Sequence, residues 1–251
     1  MPLARTVQLV AVTATLVLGL GLAGCSTAVV APTLTPEAFQ SVVASPIRTE
    51  ADRRTDAARH PAQFLAFAQV RPGMRVLDVS TGGGYTSQIL ALAVGPTGTL
   101  FAQAPNPGAT VRGRLTANPQ PNFILVARPF DDPVPDEARD LDLVTLVLNY
   151  HDIAYLPVDR ARMNQRIFAA LKPGGLFVVV DHAARAGTGT ADTRTLHRID
   201  EAVVRSEVQQ AGFVLDAEGT FLRNPDDPRD KSSGDSPFFT DKFVLRFRKP
   251  R

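Results

Sequence analysis

Short apolar runs alternate with amphipathic stretches from residue 74 to the end of the chain. The runs are rich in branched and aromatic residues and are bounded by Gly, Pro and Asp, which is typical of buried strands. Between them, apolar residues recur at helical spacing, and the pair Gly95-Pro96 ends the first such stretch. Strands are predicted at 74–79, 99–103, 123–126, 141–148, 176–180, 213–216 and 242–247, and helices at 86–94, 159–171 and 195–211.

The repeated order of strand and helix predicts a doubly wound, Rossmann-like α/β fold. Parallel neighbouring strands need crossover connections, and crossover helices cover both faces of the sheet. Phe243, Leu245 and Phe247 recur at every second position, which suits an antiparallel hairpin at the C-terminus. We therefore expect a mostly parallel seven-stranded sheet with an antiparallel C-terminal hairpin and helices on both faces. Ligands of such sheets bind beyond the carboxyl ends of the strands.

The first 25 residues form a separate pattern. Arg5 precedes an apolar run at 6–24 that ends at Cys25, the only cysteine. The run has the charged and hydrophobic regions of a secretory signal. The tetrapeptide LAGC (22–25) resembles the lipobox of bacterial lipoproteins. That resemblance implies export, a lipid on Cys25 and a membrane anchor on the periplasmic side, with the outer membrane favoured by Ser26. An uncleaved membrane anchor is the alternative.

Composition changes twice along the chain and predicts three segments. Residues 26–45 are small, contain proline and are almost uncharged, as expected of a flexible linker. From Ile47 the chain becomes strongly charged, and Pro61 is expected to stop a first helix. We predict a lipoprotein signal peptide at 1–24, a flexible tether at 25–46 and one folded domain at 47–251.

Composition and charge exclude some functional classes. The chain is 44% hydrophobic and 21% charged, which excludes a wholly disordered protein. The net charge of +2 gives no electrostatic reason to expect a nucleic-acid partner.

A glycine-rich turn follows the first predicted strand. Residues 78–85 read DVSTGGGY, and residues 171–175, before the fifth strand, read LKPGG. Glycines at such a turn let backbone amides approach a ligand next to a helix N-terminus. Together the two motifs resemble the class I S-adenosylmethionine-dependent methyltransferases. The further motifs NYHD (149–152), DHAA (181–184) and LHRID (196–200) are similar to a group of uncharacterised bacterial predicted methyltransferases.

The resemblance implies S-adenosylmethionine as cofactor and a small molecule as methyl acceptor. The loop from Ser80 to Gly84 would surround the methionine part of the cofactor, and Asp78 would reach its amino group. The pair Asp131-Asp132 would lie near the adenine, and the pair Asn149-Tyr150 would line the gap between sulfonium and acceptor. The implied cofactor-binding residues are Asp78, Ser80, Thr81, Gly82, Gly83, Gly84, Tyr85, Gln103, Asp131, Asp132, Asn149 and Tyr150.

The sequence departs from the family pattern at two positions. Ser80 stands where the family has its first glycine, and a serine is tolerable there if its backbone keeps a negative φ. The second strand usually ends in an acid that accepts both ribose hydroxyls, but here it ends around Gln103. Exchanging a charged acceptor for an amide predicts a loss of affinity of about thirtyfold or more.

Histidines and carboxylates follow the two central strands. His151 comes after the fourth strand, and Asp181 and His182 end the fifth. A histidine of near-neutral pKa, oriented by a carboxylate, would act as general base on the acceptor. We therefore predict His151, Asp181 and His182 as catalytic residues. In a second interpretation, His151, His182 and His197 bind a metal with an aspartate. In a third, each histidine only caps a strand end or faces water.

Several arginines raise a further possibility. Arg53, Arg54 and Arg59, together with Arg198, could hold an anionic acceptor, although a solvated helix face explains most of them better. The sequence thus predicts an exported methyltransferase acting on an unidentified small molecule. The alternatives are a non-catalytic protein that binds a nucleoside-type ligand, and a metal-dependent enzyme on the same scaffold.

Overall fold

The structure is a computed structural model that describes residues 34–235 and 240–251. The predicted signal peptide, Cys25 and the first part of the predicted tether lie outside the described residues. In the part that is described, no helix is both long and apolar enough to cross a bilayer.

A seven-stranded sheet in the order β3-β2-β1-β4-β5-β7-β6 confirms the predicted fold class. Strands β1 to β5 are parallel, and β7 lies antiparallel between β5 and β6. Every predicted strand is present, and most strand ends shift by only a few residues. The strands are β1 (Arg75–Val79), β2 (Thr99–Ala104), β3 (Phe123–Ala127), β4 (Leu141–Val147), β5 (Leu171–His182), β6 (Val214–Gly219) and β7 (Lys242–Arg248).

The helices were predicted less completely than the strands. The last one starts six residues later than predicted, because His197 is left-handed (φ 51°) and the Asp200 carboxylate caps the first turn. Four others were not predicted as helices; each is short. The helices are α1 (Gln40–Val43), α2 (Glu50–Arg59), α3 (Pro61–Phe67), α4 (Tyr85–Val94), α5 (Ala109–Ala117), α6 (Tyr150–Tyr155), α7 (Arg160–Ala170) and α8 (Glu201–Gln210).

The folded body begins before the predicted domain boundary at residue 47. A 3-10 turn at Pro36–Phe39 leads into α1, and the Phe39 side chain is buried. Phe39 belongs to the same apolar cluster as Leu65 of α3 and Leu90 of α4. The second half of the predicted tether is therefore part of the body, because one aromatic side chain in a nearly uncharged stretch anchors it.

Each face of the sheet is covered by its own apolar core. One core joins Leu77, Val144 and Phe177 to the side of the sheet that packs against α6, α7 and α8. The other joins Val76 and Leu143 to α3 and α4. Burial of both faces explains the continuous apolar runs in the parallel strands. Because both faces are covered, a ligand-binding site is expected at the carboxyl edge of the sheet, where the connecting loops meet.

Candidate active site

The glycine loop joins β1 to α4 at the centre of the carboxyl edge. Gly82 and Gly84 have φ of 52° and 85°, a conformation that glycine adopts without steric cost. Gly82 and Gly83 are exposed, and within the described residues their N–H groups have no hydrogen-bond acceptor. The loop therefore presents free backbone donors beside the N-terminus of α4.

The backbone of Ser80 does not meet the condition of a negative φ. Its φ is 62°, so the backbone is left-handed where the family has glycine. This conformation costs a non-glycine residue about 1–2 kcal/mol. Two hydrogen bonds offset that cost: the Ser80 N–H donates to Gln103 Oε1 (3.0 Å), and its hydroxyl donates to Asn149 Oδ1 (2.8 Å). Ser80 thus links the ends of three strands, β1, β2 and β4.

Arg114 of α5 packs directly behind the loop. Its Nε donates to the Gly83 carbonyl (2.6 Å), and its two terminal nitrogens pair with the buried carboxylate of Asp52 at 2.7 and 2.6 Å. A Cβ on Gly84 would lie 3.0 Å from both Arg114 Cδ and Val111 Cγ2. Gly84 is therefore required both for its φ and for the close approach of α5.

Asp78 lies beneath the loop and is almost completely buried. One oxygen accepts the Ser87 hydroxyl (2.5 Å) and the other accepts the Thr145 hydroxyl (2.7 Å). Burial raises the pKa of Asp78 to about 6, although both hydrogen bonds and the charge of Arg59 act in the opposite direction. In this state the carboxylate organises the loop from below rather than facing a ligand.

Gln103 does not occupy a ribose-facing position. The side chain is fully buried, with its oxygen bound to the Ser80 N–H and its nitrogen donating to the Arg128 carbonyl at 2.6 Å. The amide therefore braces the loop against the end of β3. Gln103 stands where the family has an acid, and here it serves to hold the loop. Its side chain has no free group for the predicted contact with the cofactor.

Two other loop residues also face the protein. The Thr81 hydroxyl lies 2.6 Å from the Ser87 hydroxyl. The Tyr85 hydroxyl donates to Asp56 of α2 (2.7 Å), and its ring lies under the Arg48 and Arg59 guanidinium groups. Both side chains hold the loop in place, so only the backbone of this segment is open to a ligand.

The residues predicted near the adenine and the acceptor have partners within the protein. Asp132 pairs with Arg128 (2.5 Å) and Arg166 (2.6 Å), while Asp131 lies at the edge of the same arginine cluster. Tyr150 is fully buried, and its hydroxyl donates to Glu207 of α8 (2.7 Å). Tyr150 is wrongly predicted as a site residue, because α6 begins there and turns its side chain into the core.

His151 is held between two carboxylates. Its Nδ1 lies 2.6 Å from Asp181 Oδ1, its backbone N–H donates to Asp181 Oδ2, and its Nε2 lies 3.2 Å from Asp152 Oδ1. Burial alone would lower the pKa of His151, but Asp181 and Asp152 outweigh it and raise the pKa to about 10. The pKa of His151 therefore lies above the near-neutral value that the predicted general-base role assumes, and that role stays a prediction.

His182 is in the opposite condition. Its Nδ1 lies 3.1 Å from the Thr240 hydroxyl, and its N–H donates to Asp181 (2.7 Å). Burial, together with the nearby charges of Lys242 and His151, holds the pKa of His182 far below its usual range. The two rings lie 5.8 Å apart, one charged and one neutral. The structure thus brings His151, Asp181 and His182 together, and their catalytic role stays a prediction.

Most of the arginines considered for an anionic acceptor are engaged elsewhere. Arg198 is buried and binds Asp227 (2.8 Å) and the Ala183 carbonyl. Arg54 pairs with Glu50 on an exposed face, and Arg53 donates to the Ser45 carbonyl. Arg59 alone lines a cavity of about 10 Å³, enough for one water, where α2 and α4 meet the ends of β4 and β5.

Sequence reasoning missed the residues that support the loop from other elements. Asp52, Arg114 and Arg128 lie far from the glycine motif along the chain, and no local pattern connects them. One signal was available: Thr49 and Asp52 form a capping box at the start of α2, with Thr49 Oγ1 accepting the Asp52 N–H (3.1 Å).

Comparison with known proteins agrees with this geometry. The family model of protein-L-isoaspartate(D-aspartate) O-methyltransferase matches residues 8–103. The ubiquinone/menaquinone biosynthesis C-methyltransferase UbiE of Cupriavidus metallidurans is 28% identical over 117 residues, which are 47% of this chain and 46% of the relative. The chain thus spans less than half the length of this curated relative.

Solved methyltransferases share the fold over most of the chain. A SAM-dependent methyltransferase from Aquifex aeolicus is similar with a TM-score of 0.58 and 14% identity, covering 86% of this chain and 98% of that one. The 1,6-didemethyltoxoflavin-N1-methyltransferase of Burkholderia thailandensis, solved with S-adenosylhomocysteine, has a TM-score of 0.54 and 20% identity, covering 89% and 94%. At these identities the likeness shows the fold, and with the family match it supports the class I S-adenosylmethionine-dependent methyltransferase superfamily.

Proposed function

We propose that the protein binds S-adenosylmethionine and transfers its methyl group to a small-molecule acceptor. The observation that carries this proposal is the glycine loop, which presents free backbone donors of Gly82 and Gly83 between β1 and α4. A side chain at Gly82 would meet only the Ser80 carbonyl, at 4.0 Å, so the loop has space on its exposed side. The family match and the methyltransferase fold support the same cofactor.

The residues of the chain would bind and align the reactants. S-adenosylmethionine supplies an electrophilic methyl group, and transfer requires mainly that the acceptor atom be held in line with it. The loop backbone would hold the carboxylate end of the cofactor, since N–H groups at a helix N-terminus favour anions. Asn149, fixed by the Ser80 hydroxyl, stands at the end of β4 where cofactor and acceptor would meet.

Calorimetry on the full-length protein in mild detergent tests this proposal. We expect micromolar affinity for S-adenosylmethionine and for S-adenosylhomocysteine. The variant Gly82→Asn keeps a residue that tolerates the left-handed backbone but fills the open side of the loop, so it should abolish binding. Gly73→Asn is the matched control, because Gly73 is also left-handed (φ 84°) but precedes β1 at the opposite edge. Absence of binding at millimolar ligand would refute the proposal.

A second candidate is a protein that binds a nucleoside-type ligand without turnover. The position of Gln103 favours it, since the end of β2 offers the ribose a buried, fully engaged amide instead of an acid. Incubation with S-adenosylmethionine and a small-molecule extract of the producing cells separates the two candidates. Accumulation of S-adenosylhomocysteine above that of Gly82→Asn supports the enzyme, whereas binding without accumulation favours the second candidate.

We also propose export and lipid attachment at Cys25, which rest on the apolar run 6–24 and the LAGC motif. The variant Cys25→Ser should abolish incorporation of labelled fatty acid and leave a longer precursor that still carries the apolar run 6–24. The outer membrane is the expected destination. A soluble cytoplasmic protein of unchanged length would contradict this proposal.

A further inference from the structure

Three potential metal ligands converge at the carboxyl edge beyond the end of β4. His151 and Asp152 belong to the first turn of α6, and His197 lies in the segment between β5 and α8. His151 Nε2 and His197 Nδ1 lie 3.2 and 3.0 Å from the same oxygen of Asp152, and the two rings stand 5.6 Å apart. One ligand atom from each residue falls within 4.8 Å of the others.

These separations suit donor atoms that share one ion. Ligands at about 2.0–2.2 Å from a metal lie roughly 3 Å from one another around a tetrahedral or octahedral centre. Two imidazoles and one carboxylate match zinc and its neighbours, whereas magnesium and calcium prefer oxygen ligands. Three protein ligands also leave a coordination position open.

A neighbouring carboxylate, that of Asp181, fixes the orientation of the His151 ring. Asp181 Oδ1 lies 2.6 Å from His151 Nδ1, on the opposite side of the ring from Asp152, and Asp181 Oδ2 accepts the His151 N–H (2.8 Å). Histidine ligands of metals commonly bind a carboxylate through their second nitrogen, which fixes the ring orientation. Asp181 is fully buried, so this orientation is fixed by the fold.

The conformation of His197 is a second observation that supports a metal site formed by these three residues. Its backbone is left-handed (φ 51°), an uncommon conformation for a residue other than glycine, and its ring is partly exposed. That conformation brings the ring against Asp152, 45 residues away along the chain. His182 is excluded from the set because its Nδ1 is directed to Thr240 (3.1 Å).

We propose that His151, Asp152 and His197 bind one divalent transition-metal ion, with Asp181 as the residue that positions His151. In its open coordination position the ion would hold a water or an acceptor oxygen and lower its pKa. Only this last role rests on the proposed methyl transfer; binding of the ion does not.

Titration of tag-free, EDTA-treated full-length protein with Zn²⁺ against a chromophoric chelator tests the site. We expect one ion per chain, visible d–d absorption when Co²⁺ replaces Zn²⁺, and no competition by Mg²⁺. His197→Ala should weaken Zn²⁺ binding more than about 100-fold, and Asp181→Asn about 10–100-fold. His197 is partly exposed, so its removal leaves the core intact.

The matched control removes a histidine outside the set. His60→Asn replaces another left-handed histidine (φ 45°), at the end of α2, with a residue that tolerates this backbone. It should bind Zn²⁺ like the parent protein. Failure to bind Zn²⁺ stoichiometrically at micromolar protein, or equal affinity in His197→Ala, would overturn the proposal. Loss of S-adenosylmethionine binding with Zn²⁺ binding intact would leave it standing.

Discussion

The glycine loop and the histidine cluster lie side by side on the carboxyl edge but are stabilised in different ways. The loop is held at the strand ends by neutral hydrogen bonds of Ser80, Gln103 and Asn149 and from behind by Arg114, and it offers backbone groups to the outside. The cluster around His151 and Asp181 is held by charged, buried hydrogen bonds and offers side chains.

This difference separates two tasks that a transferase must perform. Backbone donors suit a cofactor that is always the same, because they depend on the fold and hardly on side-chain identity. Ionisable side chains suit the acceptor end, where a proton must move and specificity is set. The comparison predicts that substitutions in the cluster affect stability most, while those in the loop affect mainly binding.

Asp181→Ala should have the largest effect. The substitution leaves the His151 imidazolium and the N–H groups of His151 and His182 without their acceptor in a buried site. Removing one partner of a buried charged pair costs about 3–5 kcal/mol of unfolding free energy. Urea denaturation in EDTA measures it, with the exposed Asp136→Ala as control. A loss below about 1 kcal/mol would show that the cluster does not depend on this carboxylate.

Asp52→Asn should lower the unfolding free energy by about 1.5–3 kcal/mol, because Arg114 loses a charged partner behind the loop. Burial would raise the pKa of Asp52, but the hydrogen bonds from Arg114 and Thr49 lower it to about 2. Since the folded pKa is depressed, the contribution is present above about pH 4 and is lost as the pH falls towards 2. Parent and variant should converge there in acid denaturation. Glu50→Gln, exposed on the same helix, should change neither curve.

Gln103→Glu tests whether restoring the family's acid restores ribose binding. The new carboxylate would face the Arg128 carbonyl, which now accepts from the amide, so the buried bond becomes a repulsion. We expect a loss of about 1–3 kcal/mol in stability and no gain in S-adenosylmethionine affinity. Tighter binding in calorimetry would mean that the side chain turns to the ligand and that the bracing role is wrong.

Asn149→Ala should have the smallest effect. It removes the acceptor of the Ser80 hydroxyl in a half-buried position, a neutral hydrogen bond worth about 0.5–1.5 kcal/mol. We expect S-adenosylmethionine affinity to fall by at most about tenfold while the melting temperature hardly changes. A larger loss would indicate that the Asn149 side chain itself touches the ligand.

The sheet could be predicted from the sequence because the pattern that indicates a strand is local. Each strand is an apolar run between turn residues, and the runs at 141–148 and 176–180 became the two central strands β4 and β5. Short helices such as α6 were not predicted, because six residues form less than two turns and show no clear helical periodicity. The direction of Tyr150 depends on that helix, so its role could not be predicted.

The sequence predicted where the site lies, but not which side chains contact one another there. The glycine motif fixed where the loop lies, since its turn requires the left-handed backbone of Gly84. The partners of that loop, Gln103 and Arg114, follow from strand pairing and helix packing across more than 20 residues. Likewise, the pKa of His151 depends on Asp181, which comes 30 residues later. Contacts of this range are set by tertiary structure alone.

The hold of Asp181 on two backbone amides has a consequence for how the edge could open. Because one carboxylate ties the start of α6 to the end of β5, these two elements must move as a unit. The helix α2 on the other side is tied to the glycine loop as well, because Asp52 pairs with Arg114 and Asp56 accepts the Tyr85 hydroxyl. An outward movement of α2 would therefore break charged hydrogen bonds, whereas α6 and β5 would stay joined through Asp181.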